Sequence, residues 1–494
     1  MKQDILIYIM ITLLGLFIAY EIFRYVKMKP PRTRRKILMI FTVIFLSIFL
    51  THTVLVFITM KNYEFGLKKI KELGLPVNLE EIVLSGKNKN LSPEDNIAEH
   101  MKKYDDFWPE GTSWKGITSK GRIAANPLIS EEESIEVGRF WGWNINAKNY
   151  EILKNYLKKN AKIIEVFYEL TGCKGYYLEK DQKNPIASIS PELLFIRDMF
   201  EIMDIKIAVE CYEKNTDKAV SDLEKYFYLN EILNLRNDGN LLDSMVGSGL
   251  VVLPFKFIEN IALDGKLDQK QCELMLNILE KNEKNIRESF TSALNVERAS
   301  TQVIADPKNY DLILMQPEAF GRIGGVIRFI LKLDFSYLFR PINYMERKFL
   351  NDIFTQLIVN SKKETFNKVN DIVGLSNTKA PWYFLRRDFV FVNMENIDKQ
   401  VFLNVNEVRR MAIIIMLEQY KQSYGSYPQS LSELSKKTGR AFPVDSMTGK
   451  EFVYSLKGDK YVLSVKEEDV DTNTFTVSVT NTSRVVNTKK IKIH

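Results

Sequence analysis

Two long apolar runs stand near the start of the chain and differ in pattern from everything that follows. The first covers residues 5–23 and is interrupted only by Glu21, and the second, at 37–60, contains no charged residue. At about 1.5 Å of rise per residue, a helix of either length crosses a hydrocarbon core of roughly 30 Å. We therefore expect residues 1–60 to form a transmembrane helical hairpin. A buried hairpin or a cleaved signal peptide would also be apolar, but the length of the runs favours spans.

After residue 60 the apolar positions recur at helical spacing, and polar residues mark the helix ends. Ser190 stands before a proline and a glutamate, as a helix N-cap does, while Thr216 and Asp268 precede two further apolar stripes. Pro254 is expected to kink the helix between them. Because the links between these helices are short, neighbours must run antiparallel. The pattern predicts a body of antiparallel helical hairpins over residues 61–403.

From residue 404 the pattern changes from helical to alternating. One more helix is expected to end at Gly425, and four short alternating segments follow, with Gly458 in the turn between the first two. These segments are 452–454, 461–463, 475–477 and 485–493. The fold class is thus mainly α, with a small C-terminal α+β head at 404–494 that contains an antiparallel sheet.

Positive charge is concentrated in the membrane segment and decides the expected orientation. Residues 1–60 hold eight Lys/Arg against two acids, which accounts for +6 of the formal net charge of +7. The nearly neutral remainder predicts no nucleic-acid binding. Seven of the bases lie at 24–36, and such loops stay on the cytoplasmic side. We expect a bacterial inner-membrane protein whose two termini and large domain are extracytoplasmic.

The residue types needed for common catalytic and metal sites are scarce. Three cysteines and three histidines exclude a disulfide scaffold and leave little for zinc, and no phosphate loop, dinucleotide fingerprint or nucleophile elbow occurs. We expect no catalytic residues, no bound cofactor and no enzyme activity. One calcium candidate exists: Asp469, Asp471 and Asn473 place oxygen ligands at alternate positions. An ordinary acidic turn explains the same pattern.

Four of the five tryptophans lie in the least regular part of the chain, next to acidic residues that include Glu132. They could form an aromatic platform for a glycan or a partner, with carboxylates nearby for acid–base chemistry. A small satellite core beneath a long loop accounts for the same residues, and we favour it. The four candidates are Trp108, Trp114, Trp141 and Trp143.

The run 420–434, which contains Tyr427-Pro428, and the following run 443–454 resemble the globular head of type II secretion pseudopilins. With the anchor, the segments 73–81 and 94–98 and the paired helices at 190–300, the chain resembles a bacterial family of membrane-anchored, helix-rich proteins that end in such a head. The resemblance implies an architecture and no specific activity.

These patterns lead to one main functional hypothesis and two alternatives. The first is a non-enzymatic scaffold, anchored in the bilayer by two spans, that binds a protein partner at the outer face of the membrane. The second is an accessory component of a secretion or pilus-like apparatus. The third is a cell-wall glycan-binding protein or enzyme that uses the tryptophan-rich region.

Overall fold

A computed structural model describes residues 24–84, 90–102, 145–177, 192–234, 241–304, 336–366 and 394–464, apart from residues 26 and 146, together with residue 239. These parts of the chain are mostly helical, as expected. The predicted first span at 5–23 lies outside the described residues. The second predicted span belongs to a 42-residue helix, α1 (Pro31–Glu72).

The remaining helices follow α1 in an order close to the one the apolar stripes predict. They are α2 (Leu79–Leu84), a 3-10 turn (Pro93–Asp95), α3 (Ile97–Lys102), α4 (Ala147–Lys159), α5 (Ala161–Leu170), α6 (Glu192–Tyr212), α7 (Thr216–Asn234), α8 (Leu241–Val252), α9 (Phe255–Leu263), α10 (Gln269–Ile304), α11 (Ser336–Ser361), α12 (Met394–Tyr424) and α13 (Leu431–Thr438). Their antiparallel arrangement in hairpins stays a prediction.

Two helix boundaries show how local residues set these elements. Helix α8 ends at Val252, and Pro254 stands immediately before α9. The structure therefore has a break between two helices where a kink in one helix is expected. At the start of α10, the Asp268 carboxylate accepts the main-chain N–H of Gln271 at 2.7 Å, and the Gln271 side chain accepts the N–H of Asp268 at 3.0 Å. This reciprocal pair is a capping box, and it confirms the predicted helix start.

The described chain divides into two compact units. The first comprises 1–66 and 316–348, and the second comprises 67–315 and 349–494. In the first unit Tyr63 is buried against Tyr344, with ring centroids 5.8 Å apart, and the guanidinium of Arg347 lies 4.6 Å from the centroid of the Tyr63 ring.

The second unit is built around α8 and α10. Helix α10 packs against α7, α8 and α12, and α8 also contacts α6, α7 and α12. One continuous hydrophobic core joins all these helices. Because α12 begins at Met394 and lies in this core, its residues from 404 onward belong to the same compact unit as the helices of the body. The division between body and head at residue 404 stays a prediction.

The hairpin of the predicted head is confirmed. Strands β1 (Val453–Lys457) and β2 (Lys460–Ser464) pair antiparallel, with Val453 opposite Ser464, and Gly458 in the turn has a φ of 65°. A positive φ favours glycine, which explains the residue at this position. The two later predicted strands, at 475–477 and 485–493, lie outside the described residues.

Two helical stretches among the described residues are long and apolar enough to cross a membrane. They are α1 and the stretch Asp243–Leu263, which comprises most of α8 and all of α9. None of the apolar window of α1 is buried, whereas 61% of the window in the second stretch is buried. The two therefore differ in surroundings: the second forms part of the protein core, and the first presents its apolar side chains outward.

Candidate functional site

The site residues singled out from the sequence all lie outside the described residues. This holds for the tryptophan-rich region with its neighbouring glutamate and for the calcium candidate. Both assignments therefore stay predictions. The residues concerned are Trp108, Trp114, Trp141, Trp143, Glu132, Asp469, Asp471 and Asn473.

His100 and Ser248 are of residue types that can serve in nucleophilic catalysis, and both contact main-chain carbonyl oxygens. The Nε2 atom of half-buried His100 lies 2.8 Å from the carbonyl oxygen of Glu94. The hydroxyl of buried Ser248 donates to the carbonyl of Met245 at 3.0 Å and accepts from the side chain of Asn404 at 3.1 Å. Within the described segments, no group of three His, Cys, Asp or Glu residues could hold a metal ion.

The first of three buried polar clusters joins α5, α6 and α7. The ammonium group of Lys206 bonds to both Glu210 and Asp222, whose side chains are 4% and 3% exposed. Tyr168 donates to the second oxygen of Asp222 at 2.7 Å, and Lys218 lies 3.2 Å from the Glu210 carboxylate. Two acids and two bases thus neutralise one another inside the protein.

Burial and the neighbouring charges shift the pKa values of Lys206 and Glu210 in opposite directions. Burial lowers the pKa of Lys206, but its hydrogen bonds to Asp222 and Glu210 outweigh that effect and leave the pKa raised. Burial also raises the pKa of Glu210, despite the nearby Lys206. A lysine held charged in this way is a poor nucleophile, because the free amine form is the reactive one. The cluster therefore fixes the packing of three helices.

The second cluster consists of the buried carboxyl of Asp204 in α6 and the neighbouring hydroxyl of Tyr226 in α7. Asp204 is 2% exposed, and neither of its carboxyl oxygens has a hydrogen-bond partner among the described residues. Burial raises the pKa of Asp204 well above its usual value, and nearby Glu201 adds to the shift, whereas Tyr226 opposes it. Neighbouring Tyr226 donates its hydroxyl to the carbonyl oxygen of Leu250 in α8 at 3.0 Å.

The third cluster joins α12 to the residues after it. The carboxylate of Glu418 accepts hydrogen bonds from the hydroxyl of Tyr427, at 2.8 Å, and from that of Tyr461 in β2, at 3.4 Å. Burial raises the pKa of Glu418 to about 7, although both hydroxyls and nearby Lys421 oppose the shift. We call these three residues, Glu418, Tyr427 and Tyr461, the clasp. It ties the hairpin and the loop after α12 to that helix.

A charged pair two turns earlier on α12 completes this region. Arg410 donates to Glu407 at 2.9 Å and lies 3.6 Å from the carboxylate of Glu259 in α9. Burial disfavours the charge of Arg410, but Glu407 and Glu259 outweigh that effect and raise its pKa. Burial raises the pKa of Glu259 as well. The ion pair between Arg410 and Glu259 therefore links α9 to α12, in addition to the apolar contacts between these helices.

The conspicuous residues of the stretch at 420–454 have local structural roles. Tyr454 donates its hydroxyl to the carbonyl of Pro428 at 2.7 Å, and Tyr420 donates to Glu433 at 2.7 Å. The Asp445 carboxylate accepts the main-chain N–H of Met447 at 2.6 Å. These bonds fix the turns of the chain around the hairpin.

Sequence reasoning missed all three clusters, although each left a signal. Lys206, Glu210 and Glu418 are charged residues within strongly apolar helices, where a charge is expensive unless it is paired. Lys206 and Glu210 pair at i, i+4 within α6. Their further partner Asp222, and the Tyr461 partner of Glu418, lie on other elements, so spacing along one helix cannot identify those contacts.

Comparison with known proteins gave no match. No protein-family model, curated protein or solved structure is similar to this chain. The resemblance to pseudopilin heads and to the membrane-anchored bacterial family therefore has no support from these comparisons.

Proposed function

We propose that this chain is a membrane-tethered scaffold that holds its helical body and head outside the cytoplasm, where they bind a protein partner. The exposure of helix α1 carries the proposal. Over about six turns its large apolar side chains face outward. They are Leu38, Met39, Ile40, Phe41, Val43, Ile44, Phe45, Leu46, Ile48, Phe49, Leu50, Val54, Leu55, Phe57 and Ile58.

An apolar surface of this extent is rare on a monomer in water and ordinary on a helix in lipid. The polar side chains of the segment fit the same surroundings. Thr42, Thr51 and Thr53 each donate a hydroxyl to the main-chain carbonyl four residues earlier, at 2.9, 2.8 and 2.8 Å. Their hydroxyl protons are therefore satisfied within the helix, as a hydrocarbon environment requires.

The orientation follows from the basic residues at 24–36, which favour the cytoplasmic side. Helix α1 then leads outward, and the body and head follow it on the far side. The inner membrane of a bacterium is the proposed location. The charged clusters of the body and head bond internally, which supports a binding role over a catalytic one.

Two exposed leucines on α1 offer a matched test of the anchor. Leu46, in the middle of the apolar run, is 56% exposed, and Leu73, just past the end of the helix, is 54% exposed. Each is replaced by a cysteine and spin-labelled in the full chain, reconstituted in phosphatidylcholine vesicles. We expect the label at Leu46→Cys to be relaxed by oxygen and protected from a water-soluble nickel complex, because oxygen concentrates in lipid. The label at Leu73→Cys should show the reverse. Equal access of nickel to both would contradict the anchor.

The partner role needs a separate measurement. Gentle detergent extraction from native membranes is expected to give an assembly that contains a second protein in a fixed ratio. If the chain is recovered alone under conditions that keep it folded, the scaffold role fails while the anchor stands.

A further inference from the structure

The first turns of α1 and the residues just before that helix concentrate positive charge without any acid to balance it. Residues 24–36 contain seven Lys/Arg, and no Asp or Glu occurs anywhere between Glu21 and Glu64. We call this segment the basic elbow. All but one of its bases are exposed, and Lys29 is half-buried.

Side-chain contacts within the basic elbow give it a defined shape. Arg34 donates its Nε to the carbonyl oxygen of Lys29 at 2.6 Å and a terminal nitrogen to the carbonyl of Lys27. The ammonium of Lys29 lies 4.3 Å from the centroid of the Tyr25 ring. Arg34 thus forms hydrogen bonds within the basic elbow, and other bases of the elbow carry the positive charge that faces outward.

Three of those bases share one face of α1. Arg32, Arg35 and Lys36 stand at positions i, i+3 and i+4, where side chains of a helix are neighbours. All three are exposed, and none has an ion pair with a described residue. Like charges at this spacing repel one another, so an anion placed among them relieves repulsion as well as adding attraction.

The opposite end of the apolar segment is arranged differently. There Lys61 lies 2.7 Å from Glu64, Lys68 lies 3.9 Å from Glu72, and Lys71 lies 3.6 Å from Glu81. These lysines have acidic partners within the chain. Among the described residues, Arg32, Arg35 and Lys36 at the elbow end are therefore available to an external anion.

We propose that Arg32, Arg35 and Lys36 bind the phosphate groups of anionic phospholipids in the bilayer that α1 crosses. The inference rests on the proposed anchor, because the apolar run starts at residue 37 and so places these three bases at the depth of the headgroups. A basic residue near an anionic surface contributes about a fivefold gain in association. The elbow thereby fixes one end of α1 to the leaflet on its own side.

The test uses the full chain in phosphatidylcholine vesicles that contain a trace of spin-labelled lipid. The measured quantity is the ratio of association constants for spin-labelled phosphatidylglycerol and spin-labelled phosphatidylcholine. We expect a ratio clearly above one, falling as salt is raised because the charges are screened. The triple variant R32Q/R35Q/K36Q should bring the ratio close to one, and the charge-preserving double variant R32K/R35K should keep it.

The matched control neutralises three bases at the other end of the segment, as K61Q/K68Q/K71Q. We expect this variant to keep the preference for phosphatidylglycerol. The proposal is overturned if R32Q/R35Q/K36Q keeps it too, if both triple variants lose it equally, or if millimolar inorganic phosphate at constant ionic strength displaces the lipid. Failure of the anchor itself shows separately, as nickel access to the label at Leu46→Cys.

Discussion

At the scale of single residues, the buried carboxyl of Glu418 in the clasp makes the stability of the protein depend on pH. Its folded pKa of about 7 lies above the ordinary value of 4.5, so folding favours the protonated form. The contribution of Glu418 to the free energy of unfolding is therefore fully present below pH 4.5 and is lost as the pH rises through about 7. We expect E418Q to match the wild type near pH 4 and to be more stable by about 1–3 kcal/mol at pH 8. Thermal unfolding in detergent between pH 4 and 9 measures the difference.

The control is a glutamate of the same region with the opposite shift. Hydrogen bonds from Tyr420 and from the main chain of Gln429 lower the pKa of half-buried Glu433. Its contribution is present above the unfolded pKa and is lost as the pH falls. E433Q should therefore lose stability at neutral pH and approach the wild type in acid. If both variants changed in the same direction, burial in the clasp would not be the cause of the effect at Glu418.

At the scale of elements, α8 contains two glycines two residues apart that should respond oppositely to alanine. A Cβ added to Gly247 would lie 1.8 Å from the Oδ1 of Asn234, a buried side chain that donates to Asn230 at 3.1 Å. A Cβ at Gly249 would meet nothing within 4 Å. We expect G247A to destabilise the protein by about 1–3 kcal/mol through overpacking. G249A should stabilise it by about 0.5–1 kcal/mol through helix propensity.

Thermal unfolding of G247A and G249A, each compared with the wild type, measures the two changes in stability. Because both substitutions add one methyl group to the same helix, a general intolerance of α8 to alanine would destabilise both. That result would contradict the close approach of α7 to α8 at Gly247.

Local chemistry explains which elements could be predicted from the sequence. The helix start at Asp268 and the turn at Gly458 depend on nearby residues and are confirmed, whereas the kink expected at Pro254 is a break between α8 and α9. Apolar residues recur at helical spacing through 150–167, and the structure divides this stretch into the two helices α4 and α5. At the break, buried Asn160 donates its side chain to the carbonyl of Tyr156 at 2.9 Å, which competes with the regular helix pattern. The apolar stripe carries no sign of this competition.

The buried clusters could not be predicted for a different reason. Glu418 meets Tyr461 across 43 residues, and Arg410 meets Glu259 from another helix altogether. Single-helix periodicity identifies the face on which such a residue lies but not its partner. The sequence therefore predicts the long apolar helix α1, whose signal is contiguous, far better than it predicts the polar contacts inside the body.

At the scale of the whole molecule, the proposed orientation places the basic elbow and the hairpin on opposite sides of the membrane. Thr33 and Ser455 are both exposed and both accept a cysteine with little change in size. We expect a membrane-impermeant maleimide to label S455C in intact cells and to label T33C only after permeabilisation. The native thiols give little background, because Cys173 and Cys272 are buried and burial raises the pKa of Cys211 to about 12. Labelling of T33C alone in intact cells would reverse the orientation and place the body in the cytoplasm.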